Sequence, residues 1–128
     1  MRYVIDAWAW VEYLIGSEHG FKIKDIIENE KNDIFTCPIT IAEVMGMAKR
    51  EQKDYESMYN LIISLSKVNN ITPELSKEVG LVCVEFKKKI KDIGLADVFV
   101  LMTAKFLGAN VVTGDKHFKN FKNVVFIK

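Results

Sequence analysis

The chain has 128 residues and a mass of 14.7 kDa, a length suited to a single domain spanning 1–128. Hydrophobic residues make up 49% and charged residues 27%, which excludes a disordered chain, and the apolar runs are far too short to span a membrane. Net charge is +1 but unevenly spread: residues 1–64 hold 7 basic and 11 acidic side chains, residues 65–128 hold 11 and 6. That asymmetry fits either a basic face on the second half or ordinary solvated helix faces.

In chain order, Tyr3-Val4-Ile5 predicts a short buried strand and Ala7 to Ile15 a helix stopped near Gly16. Phe21 to Glu30 carries Ile23, Ile26 and Ile27 at helical spacing. Ile34 to Cys37 predicts a strand, and Thr40 then opens a helix to about Gln52. Tyr55, Met58, Tyr59, Ile62 and Leu65 mark another helix, and Val68 a short edge strand. Thr72-Pro73-Glu74 is a strong helix start, with a capping hydroxyl, a proline in the first turn and an acid near the positive dipole end. Leu95 to Leu107 predicts a helix closed by Gly108. Asn110 to Thr113 and Asn123 to Ile127 predict the last strands, with a short turn or helix between. The start, Met1 to Asp6, turns acidic too soon for a secretory signal. Cys37 and Cys83 lie far apart without Cys-x-x-Cys spacing, so free thiols in a reducing cytoplasm are expected.

Short, β-branched, continuously apolar strands alternating with helices predict an α/β fold with a parallel sheet covered on both faces. Ligands in such sheets bind beyond the carboxyl ends of the strands. Four acids belong there: Asp6 directly after the first strand, Glu43 in the first turn of the helix after Cys37, Asp97 in the first turn of the Leu95 helix, and Asp115 after Thr113-Gly114. Each also has a plain structural reading. Asp6 could cap a helix, Thr40-Ile41-Ala42-Glu43 fits a capping box, and Asp115 suits a turn. Asp97 resists such a reading best, because it is the one polar residue in Leu-Ala-Asp-Val-Phe-Val-Leu-Met and has no basic residue at i±3 or i±4. Such a carboxylate needs a distant cation, a metal ion or backbone donors, or else stays protonated. Carboxylates gathered together repel, and a divalent ion removes that penalty. All-oxygen donors suit Mg²⁺ and Mn²⁺ and serve phosphodiester hydrolysis.

Val4-Ile5-Asp6-Ala7-Trp8-Ala9-Trp10, Pro38-Ile39-Thr40-Ile41-Ala42-Glu43-Val44, Gly94-Leu95-Ala96-Asp97-Val98-Phe99 and Val111-Val112-Thr113-Gly114-Asp115-Lys116-His117-Phe118 together resemble the motif series of the PIN domain, in order and over the whole chain. The resemblance is greatest to the small VapC-type toxins. It implies a three-layer α/β/α sandwich around a parallel sheet of four or five short strands. It also implies a metal-dependent endoribonuclease with Asp6, Glu43, Asp97 and Asp115 on one or two Mg²⁺ or Mn²⁺ ions, and Thr113 placing the attacking water or Asp115. The implied partners are an RNA substrate, a cognate antitoxin and a second copy of the chain, in the cytoplasm and without a membrane. His117 stands where the family often has a further acid, and reads either as an exposed turn residue or as a phosphate contact. Lys116, Lys119 and Lys122, and Lys87, Lys88, Lys89 and Lys91, are further candidate phosphate contacts or solvated ends. Trp8, Trp10 and Tyr13 are candidates for core or base stacking. Met45, Met47, Tyr55 and Tyr59 are candidates for core or a partner surface. A stand-alone RNA-processing enzyme, a DNA-cleaving nuclease and a catalytically silent binding module are the competing readings.

Overall fold

The computed structural model describes residues 1–127. In chain order it contains β1 (Arg2–Ile5), α1 (Ala7–Ile15), α2 (Glu18–Ile27), β2 (Asp33–Thr36), α3 (Pro38–Arg50), α4 (Tyr55–Leu65), β3 (Lys67–Val68), α5 (Pro73–Lys89), α6 (Leu95–Leu107), β4 (Asn110–Thr113), one turn of 3-10 helix (Lys116–Phe118) and β5 (Val124–Phe126). The five strands form one sheet in the order β3-β2-β1-β4-β5, and every neighbouring pair is parallel.

Alternation along the strands sorts the core into two layers. Ile5, Ile34 and Val112 face one way and pack with Trp10, Ile23, Val44 and Ile62 from α1 to α4. Val4 and Val111 face the other way and pack with Leu75, Val79, Val98 and Leu101 from α5 and α6. Val4, Ile5, Val111 and Val112 are fully buried, each contributing roughly 1.5–3 kcal/mol. The result is the expected α/β/α sandwich, with five parallel strands flanked by six helices.

The helix ends follow from local chemistry. Asp6 caps α1, Ser17 caps α2 and Thr72 caps α5, each accepting a backbone N–H three residues on. Gly108 ends α6 in the left-handed conformation at φ 61°. Two predicted starts shift. Helix α2 begins at Glu18 rather than Phe21. Its Gly20 lies so close to α1 that a β-carbon there would fall 2.3 Å from the Glu12 carbonyl oxygen. Helix α3 begins at Pro38 rather than Thr40, after Cys37, because proline is pre-shaped for the first helical position. The expected Thr40–Glu43 capping box is therefore absent. Thr40 lies inside the helix, fully buried, and its hydroxyl has no partner among the described residues. No helix among the described residues is long and apolar enough to cross a membrane.

Candidate metal centre

The strand order changes direction at the β1–β4 pair, so a crevice opens beyond the carboxyl ends of these two strands. Asp6 is the first residue past β1, and its N–H still reaches the Val112 carbonyl of β4 at 3.3 Å. Asp115 is two residues past β4. Asp97 comes from the first turn of α6, the helix that feeds β4. Glu43 comes from the second turn of α3 rather than the first, because the helix starts two residues earlier than the sequence suggests.

The structure brings Asp6 and Glu43 each within electrostatic reach of Asp97 and Asp115, and those two within reach of each other. Asp6 is 5% exposed. Its carboxyl is pushed up to about 7, chiefly by burial, with the charges of Asp115 and Asp97 adding to the rise. The hydrogen bonds from Thr113 and Ala9 work against it. Glu43 reaches in from the exposed side of α3, and partial burial together with Asp97 and Asp115 raises its pKa. Burial raises Asp97 too. The Gly94 N–H, at 2.9 Å, opposes that rise, Asp115 adds to it, and His117 opposes it more weakly. Among the described residues Asp97 thus finds one backbone donor and no paired lysine or arginine.

Hydrogen bonds tie β1 to β4 across this crevice. The Thr113 hydroxyl donates to Asp6 Oδ2, and Ala9 N–H donates to Asp6 Oδ1 at 2.8 Å. The Asp115 N–H donates back to Thr113 Oγ1 at 3.0 Å. Among the described residues the ion pairs are Lys88–Glu85 at 3.0 Å and His117–Asp115 at 2.7 Å, so no lysine or arginine neutralises the four acids. Hard oxygen donors with uncompensated charge fit a divalent cation such as Mg²⁺ or Mn²⁺. As placed, no three acid, imidazole or thiol groups among the described residues stand close enough to bind one ion directly. Holding an ion requires side-chain rotation or intervening waters.

Of the other singled-out residues, His117 is not an exposed turn residue. Its side chain is largely covered, and its ring meets Asp115. The Asp-x-His spacing was the available signal, and it is a weak one. Trp10 is core and donates Nε1–H to Thr36 at 3.1 Å, and the Tyr13 hydroxyl donates to Glu28 at 2.7 Å. The Trp8 ring lies over Gly114, where a β-carbon would come within 2.4 Å of it, and stands 5.6 Å from the His19 ring. Gly114 therefore admits the indole between the Asp6 and Asp115 segments. Met45 and Met47 pack partly into the core, whereas Tyr55 and Tyr59 are exposed. Lys116, Lys119 and Lys122 are exposed; Lys116 is next to Asp115 in the chain, whereas Lys122 lines a groove at the amino end of the sheet and is not placed at the acidic centre. Lys87, Lys88 and Lys89 close α5, also exposed, a short loop ahead of α6.

The fold recurs in solved structures. A toxin–antitoxin complex from Klebsiella pneumoniae superposes with a TM-score of 0.76 at 21% identity, covering 98% of each chain. VapBC2 from Rickettsia felis, bound to a DNA fragment from its promoter, gives 0.74 at 20% identity, covering 98% of this chain and 97% of that one. VapC20 of Mycobacterium tuberculosis, a sarcin-ricin loop cleaving toxin, gives 0.70 at 12% identity, covering 85% and 86%. No curated protein sequence matches the chain significantly. The family model of the PIN domain matches residues 3–124, and the chain accordingly belongs to the PIN domain family.

Proposed function

We propose that this chain, acting as one domain, is a Mg²⁺- or Mn²⁺-dependent endoribonuclease and the toxin of a toxin–antitoxin pair. The observation that carries the reading is the gathering of Asp6, Glu43, Asp97 and Asp115 at one sheet edge with no lysine or arginine paired to them among the described residues. Those four residues would hold the ion, directly or through waters. A bound divalent ion supplies positive charge at the scissile phosphate and lowers the pKa of water.

The protein's own groups do the remaining work. Thr113 orients Asp6 by its hydroxyl and Asp115 by accepting its N–H. The exposed Lys116 next to Asp115 and the exposed lysines at the end of α5 hold flanking phosphates around the acidic centre. Positioning and electrostatics provide the rate, and no covalent intermediate with the protein is needed. Family membership supports the nuclease reading, and the fold shared with VapBC proteins supports an antitoxin partner. A homodimer and a cytoplasmic setting complete the proposal.

The test is cleavage of single-stranded RNA, single-stranded DNA and branched DNA by the purified chain, with Mn²⁺ and with EDTA. RNA should be cut into products with 5′-phosphate and 3′-hydroxyl ends, only when metal is present. Asp97→Asn should slow cutting by about two to three orders of magnitude while the protein stays folded. Full activity in Asp97→Asn, or in EDTA, overturns the reading. Preferential cutting of branched DNA replaces it with the DNA-cleaving alternative.

A further inference from the structure

We infer that His117 is a positioning residue for the metal centre: its imidazole clamps one oxygen of Asp115 so that the other is presented to the ion. The inference rests on the reading of the four acids as metal ligands. Asp115 Oδ1 accepts two hydrogen bonds from His117, from the backbone N–H at 2.9 Å and from ring Nδ1 at 2.7 Å. An ionised carboxylate only accepts, so the ring carries its hydrogen on Nδ1. Oδ2 is left without a partner among the described residues. On its other side, the Asp115 N–H is held by Thr113, whose hydroxyl also grips Asp6. Asp115 is thereby held at its carboxylate by His117 and at its backbone by Thr113, which connects it to the most buried acid of the group.

The ring is not needed to make the turn. The His117 backbone N–H already caps it, the Phe118 N–H bonds to the Asp115 carbonyl at 3.1 Å, and Phe118 is anchored in the core. What the imidazole adds is restraint of a carboxylate that would otherwise rotate between rotamers on a surface turn. Such restraint of a ligand by a neighbouring hydrogen bond typically changes metal affinity by about 10–100-fold. The ring also stands within electrostatic range of Asp97, so it belongs to the same centre.

Mn²⁺ binding to the full chain, titrated by the loss of the free-ion electron paramagnetic resonance signal, tests the inference apart from activity. His117→Ala should weaken binding by about 10-fold or more. The metal-free melting temperature should stay within about 2 °C. His117→Asn, whose side-chain N–H can stand where Nδ1–H stands, should recover most of the affinity. Pulsed spectra of bound Mn²⁺ should show no directly coordinated nitrogen. Unchanged affinity in His117→Ala, with weakened affinity in Asp115→Asn, overturns the inference and leaves the metal centre standing. A nitrogen coupling that disappears in His117→Ala also overturns it, by making the ring a ligand. Unchanged affinity in Asp97→Asn and Asp115→Asn alike removes the centre itself, and the inference with it.

Discussion

At its carboxyl end the sheet gathers Asp6, Glu43, Asp97 and Asp115, whereas at its amino end, beneath α5 and α6, a groove of about 860 Å³ is lined by Phe86, Leu101, Ala109 and Phe121 among others. There the Phe86 and Phe121 rings meet edge to face, 5.2 Å apart. The same strands thus end in groups that repel on one side and in groups that cohere on the other. Burial opposes the charged form of three of the acids, and among the described residues no lysine or arginine pairs with them to offset it. At the amino end, burial and ring contacts only add stability. The carboxyl end costs the metal-free fold free energy, and that cost is what an ion would relieve.

The largest effect that would sharpen this contrast lies at Asp6. Its carboxyl is raised from 3.8 to about 7, so the folded chain keeps a proton that the unfolded chain releases between those values. Metal-free stability should therefore be greatest below about pH 4 and fall as the pH climbs to about 7, by up to about 4 kcal/mol from this group. Glu43 and Asp97 shift in the same direction and add to the slope. Asp6→Asn keeps a good helix cap and should remove most of that slope, measured as urea midpoints at pH 4, 5.5 and 7.5 in EDTA. A wild-type chain more stable at pH 7.5 than at pH 4 would break the contrast.

Next in size is linkage. At a metal concentration 100 times the dissociation constant, the wild-type chain should gain about 2.7 kcal/mol, seen as a higher melting temperature at neutral pH. Asp97→Asn should lose most of that gain, and no change at the amino end should touch it. Smallest is Phe86→Ala. Phe86 is only partly buried, so its loss should lower stability by about 2 kcal/mol and leave Mn²⁺ affinity unchanged, as checked by denaturation and titration on the same samples. If Phe86→Ala altered Mn²⁺ affinity as strongly as Asp97→Asn, the two ends would not be independent.

The sequence showed much of this because the signals are local. Thr72-Pro73 and Gly108 marked helix boundaries within a few covalent bonds of where they act. The apolar company of Asp97 marked it as a carboxylate in need of a partner. Elsewhere, packing partners or local geometries that residue types do not specify decide the outcome. Ser17-Glu18-His19-Gly20 resembles a loop until α1 lies against it, and Gly20 then becomes a requirement of close packing. Glu43 fits half of a capping box only for a helix that starts at Thr40, and Pro38 starts it two residues earlier. The clamp of His117 on Asp115 depends on a turn geometry that the residue types alone do not specify. Strand order was not legible either, since β1 pairs with β4 more than a hundred residues later.

The hydrogen bond from Thr113 to Asp6 joins residues 107 apart, and β1 lies in the middle of the sheet. Contacts of such sequence separation form late, because the intervening chain must be ordered first. No fragment ending before Thr113 can complete the crevice, so Asp6 gains its Thr113 partner only after β4 has been made.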